Sequence, residues 1–133
     1  MSDETRILAG ILLLSLVTVE TGGLYLLKLW RSSEGVTEFQ IGFARAGHAH
    51  AGVLLILGLL CQVFVDQTDL SGFAEWLARA GVPAAAILMP AGFFAASVGP
   101  GLTRPNRLIA VVYAGGLVLA VSLATLGIGL LTA

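Results

Sequence analysis

The chain is poor in charge, in aromatic rings, in histidine and in cysteine, and each shortage excludes something. Charged residues make up 11% of its 133 residues and hydrophobic ones 57%, far from the mixture of a water-soluble domain. The lone Cys61 cannot close an internal disulfide, and no Cys-x-x-Cys-His is present for covalent attachment of haem. A formal net charge of −1 gives no basic surface for nucleic acid. No Ser-His-Asp set, phosphate-binding glycine loop or pair of catalytic carboxylates occurs, which argues against a stand-alone enzyme. Neither a repeat nor a second domain is visible, so residues 1–133 are read as one integral membrane domain.

What the chain has instead is apolar length. Residues 7–30, 41–65, 81–98 and 108–131 are each apolar over about 18–25 residues, enough to cross roughly 30 Å of hydrocarbon at about 1.5 Å per residue. Val53–Leu60 and Ala84–Pro90 are apolar all round, without the alternation of barrel strands. The expected fold is all-α, an antiparallel four-helix transmembrane bundle. Lys28, Arg31, Arg45, Arg104 and Arg107 flank the first and third loops, whereas Arg6 and Arg79 lie toward the other side. That bias puts both termini outside the cytoplasm, in an inner (plasma) membrane. The start, Met1–Arg6, lacks a basic n-region, so the first span is expected to remain as a structural helix.

The connections carry their own signals. Thr37 and Gln40 form a capping-box pattern that starts the second helix near Glu38, ahead of the span itself. Between spans two and three, Leu70, Phe73, Trp76 and Leu77 share one face while Ser71, Glu75 and Arg79 lie away from it. This pattern predicts a short separate helix at the membrane interface, with Trp76 at headgroup level. Gly99–Asn106 reads as a turn. Small residues at four-residue spacing, Ala91, Ala95 and Gly99 in the third helix and Gly116, Ala120 and Ala124 in the fourth, mark the expected packing faces. Pro83 is expected in the first turn of the third helix, and Pro90 in its middle, where it should kink the helix.

Polar residues inside the spans are few. Glu20 falls near the middle of the first helix, and His48 and His50 head the second span in Gly47-His48-Ala49-His50-Ala51. Counted along the helices, all three share one depth, so Glu20 is expected to face the interior within reach of a histidine. Positions 48 and 50 are about 200° apart around a helix, so the two imidazoles leave in nearly opposite directions and one ion cannot readily take both. A zinc site built on His-x-x-x-His spacing is absent. Gly47 and Gly52 leave room for a flat macrocycle or a close neighbour.

A Gly-His-Ala-His sequence heading a Gly- and Leu-rich span, Arg45–Leu54, resembles the His-x-His helix of haem-copper oxidase catalytic subunits and the corresponding segment of NnrS-type haem- and copper-containing membrane proteins. The chain as a whole is similar to short four-span bacterial membrane proteins. The resemblance implies histidines that ligate haem b or copper from opposite faces of one helix. With two histidines in all, neither a three-histidine copper centre nor a second axial histidine for each haem is available, which excludes a full oxidase. The candidate cofactor residues are therefore His48 and His50, with Met89 as a further axial ligand and Arg45 as a propionate partner or cytoplasmic anchor. Glu20 joins the histidines as a candidate metal ligand.

Three functions follow from these residues: a haem- or metal-binding membrane protein in redox, cofactor-handling or sensing work; a proton- or ion-conducting bundle using Glu20 and the histidines; or a structural subunit of a membrane complex with no cofactor at all. The expected partners are the lipid bilayer and either further copies of the chain or a larger membrane assembly. The plain alternative for both histidines is hydrogen-bonded helix packing, one of them holding Glu20.

Overall fold

The structure is a computed structural model, which describes residues 1–31 and 35–133, apart from the side chain of Trp30. Four helices pack together: α1 (Asp3–Arg31), α2 (Glu38–Val65), α3 (Gly72–Ala96) and α4 (Ile109–Thr132). No strand occurs among the described residues. All four are long and apolar enough to cross a membrane. The loop between α1 and α2, at residues 32–34, lies outside the described residues.

α2 starts where the capping box places it. The Thr37 hydroxyl accepts from the Gln40 backbone N–H and the Gln40 side chain accepts from the Thr37 N–H. The same two residues tie the start of α2 to the end of α3. The Gln40 amide donates to the carbonyls of Ser97 and Gly99 at 2.9 and 2.7 Å, and the Thr37 hydroxyl donates to the Leu102 carbonyl. The Asn106 amide closes the next connection by donating to the Ala95 carbonyl at 2.9 Å.

α3 is central. It packs along both α2 and α4, whereas α1 leans chiefly on α2. Burial follows: 44% of the most apolar stretch of α3 is buried against 6% of that of α1, which leaves most of α1 uncovered. The core has two parts, Leu12, Leu54, Leu55, Ala85 and Ala86 at mid-helix level, and Cys61, Val65, Ala78, Val82 and Leu126 toward the end where α2 finishes.

Two expectations change here. Residues 72–79 are not a separate short helix but the first turns of α3, which continues through Pro83 and Pro90 without a break. Pro83 therefore lies well inside a helix rather than in its first turn, and it cannot donate to the carbonyl of Arg79 four residues back. The Gln62 amide of α2 takes that place, donating to the Arg79 carbonyl at 2.7 Å, so the helix survives its proline through a side chain on its neighbour.

The packing faces also differ from the stripes of small residues. α3 and α4 approach through Gly81, Gly92 and Gly115, while Gly129 of α4 meets Leu70 in the connection before α3. A Cβ at Gly81 would lie 2.5 Å from that of Ser122, and one at Gly92 would lie 2.7 Å from the Val112 backbone nitrogen. The Ser122 hydroxyl uses this closeness to donate to the Leu77 carbonyl at 2.9 Å. Ala91, Ala120 and Ala124 point outward, and a Cβ at Gly116 would meet nothing within 4 Å. Four-residue spacing identifies a helix face but not the neighbour it meets.

Candidate functional site

The two histidines leave α2 in different directions, as helical geometry requires, and reach different surroundings. The ring of His48 lies against α1 at Gly22 and Gly23. A Cβ at Gly22 would come within 3.1 Å of its Nδ1, and one at Gly23 within 3.5 Å of its Nε2. Two adjacent glycines thus open a seat for an imidazole against helix backbone. No hydrogen bond holds this ring among the described residues.

His50 is held more firmly. Its Nδ1 is 2.8 Å from the carbonyl of Ala46 one turn earlier, so this nitrogen donates and a further partner would have to come to Nε2. The Phe93 ring of α3 lies 4.8 Å away, centroid to centroid, at 40°. His50 lines an open groove of about 170 Å³ with Ala49, Val53 and Leu54, and Nε2 makes no hydrogen bond among the described residues. The space beside Gly47 is taken by Phe93 and Phe94 of α3, and Gly52 faces Val19 of α1. Both glycines therefore admit neighbouring side chains.

The other expected members are elsewhere. Glu20 is exposed on α1 and its side chain has no hydrogen bond or ion pair among the described residues, so the interior position and histidine contact expected for it are not found in the single chain. The cause is phase. Leu12, Val19 and the glycine pair meet α2, and Glu20, one residue past Val19, is turned about 100° away from that face. At mid-span an ionised carboxylate facing lipid costs roughly 2.5–3.5 kcal/mol on insertion scales. Met89 turns toward α4, its Cγ 2.6 Å from where a Cβ of Gly115 would stand, and packs on the Leu54–Ala85 core instead of beside a histidine. Arg45 is exposed. No cluster of three or more His, Cys, Asp or Glu side chains that could hold a metal occurs among the described residues.

A cluster that the residue pattern did not reveal sits at the end where α1 begins, α2 ends and α3 begins. Arg79, only 3% exposed, donates to Thr5 Oγ1 at 2.6 Å, to Asp66 at 2.9 Å and to Glu75 at 3.0 Å. Thr5 and Ser2 donate to the same Asp66 carboxylate through their hydroxyls, and Ser2 also through its backbone N–H at 2.8 Å. Gln62, fully buried, completes the cluster through the Arg79 carbonyl, and its own Oε1 has no hydrogen-bond partner among the described residues. Sequence held two partial signals: Glu75 four residues before Arg79, and a proline four residues after it.

Burial pushes the Asp66 carboxyl up, but the Ser2 N–H, the Arg79 guanidinium and the Thr5 and Ser2 hydroxyls outweigh it and hold the group well below the usual carboxylate range. Its folded value thus lies under the unfolded value of about 3.9, so its contribution is complete above that pH and is lost as pH falls through the folded value. Unfolding in mixed micelles is expected to show no Asp66-dependent change from pH 7 to about 4 and a loss of stability below. Asp66→Asn should remove this acid limb; an unchanged limb would assign it to another group.

Three further cavities lined by described residues hold neither histidine. One of about 270 Å³ lies between the C-terminal half of α1 and the facing ends of α2 and α3, lined by Tyr25, Gln40, Ala44 and Phe94 among others, with the Gln40 amide already committed to backbone carbonyls. Another, of about 290 Å³, is a mostly apolar trough where α1, α2 and α3 meet, with Ser15 and Thr18 in its lining. Among the cavities formed by the described residues, His50 lines one, and Thr5 with Asp66 lines another, of about 160 Å³. Comparison of the chain with family models, with curated proteins and with solved structures found no match.

Proposed function

We propose that this protein is an integral membrane protein of four antiparallel spans, termini outside the cytoplasm, that binds a redox-active metal through His50 on its His-x-His helix. The observation that carries this reading is the hydrogen bond from His50 Nδ1 to the Ala46 carbonyl. Metal-bound histidines almost always donate their other ring nitrogen in this way, which fixes the tautomer and the ring direction and raises the basicity of the ligating nitrogen. Phe93 on one side and the helix backbone on the other limit the ring further.

The surroundings of His50 fit an ion better than a macrocycle. A groove of about 170 Å³ is smaller than the roughly 300–1,000 Å³ of sites that enclose a small-molecule ligand. Imidazole nitrogen suits copper, which when bound supplies one-electron redox chemistry. Haem b is the weaker reading, since it would need a wall that one chain does not supply. Val53 and Leu54 keep the groove apolar, which lowers the dielectric around a bound charge and so acts on its potential. A proton relay through Glu20 and the histidines has less support, because no hydrogen bond joins the three among the described residues.

The basic residues Lys28, Arg31, Arg45, Arg104 and Arg107, near the same two loops, support the orientation. The reading is tested by elemental analysis and an absorption spectrum of protein purified in mild detergent from copper-supplied cells. Copper is expected with the parent and with His48→Ala, and is expected to be lost with His50→Ala. A metal-free, colourless parent protein would end the proposal.

A further inference from the structure

We draw no further inference here: the strongest candidate, the cavity of about 270 Å³ between the C-terminal half of α1 and the facing ends of α2 and α3, has mainly apolar walls and a Gln40 amide already committed to the carbonyls of Ser97 and Gly99, and nothing in the structure shows what covers it.

Discussion

Replacing Arg79 by Met is expected to destabilise the protein by about 3–5 kcal/mol, the usual cost of removing one partner from a buried ion pair. The size follows from what is left behind. Asp66 would lose its guanidinium while still mostly buried, Thr5 Oγ1 would lose a donor, and the contact between the starts of α1 and α3 would go with them. Arg79→Lys should recover only part of the loss, since one ammonium cannot reproduce three donors aimed in a planar fork. Replacing both charges, Asp66→Leu with Arg79→Met, should cost less than Arg79→Met alone, because no uncompensated carboxylate remains. The measurement is the fraction folded against dodecyl sulfate in mixed micelles. A single Arg79 variant as stable as the parent, or a double variant that is worse than the single, would show that this cluster does not hold the three helices.

The second large effect is steric. Gly92→Ala is expected to cost about 1–3 kcal/mol, the range for overfilling a packed interior, because the new methyl would meet the Val112 backbone nitrogen at 2.7 Å and backbone cannot turn aside as a side chain can. Gly116→Ala on the outward side of α4 meets open space and should be neutral or stabilising by up to about 1 kcal/mol, from better helix propensity alone. The pair of variants separates the observed α3–α4 contact from the one that residue spacing implies. Equal effects at the two positions would place the α3–α4 contact elsewhere.

Helix identity was legible because it depends on local quantities. The length of each apolar run, the Thr37–Gln40 capping box and the scarcity of charge sufficed for four long helices without strands. The opposed directions of His48 and His50 were equally legible, since an angle of about 100° per residue is a property of any helix. Their shared depth with Glu20 could be counted from the helix ends, and the register of Gly22, Val19 and Leu12 against α2 puts residues 20 and 50 at one level.

Only the tertiary structure decided which neighbour each face meets. Rotation of α1 by one residue would turn Glu20 toward α2 and Val19 away, and no pattern along α1 alone chooses between them. Choice falls to the fit of Leu12 on Gly58 and of the Gly22–Gly23 pair on His48, contacts between residues far apart in the chain. The same holds for the glycines of α3 and α4, where the regular four-residue stripe faces outward on α4 and the packed glycines of α3, Gly81 and Gly92, stand eleven residues apart. It holds most for Arg79, whose charge reads as a solvated helix face until the proline four residues on, the Gln62 amide and the Asp66 carboxylate are brought together around it. Periodicity fixes directions around a helix axis; burial of a charge depends on partners from other helices, and those are set by packing.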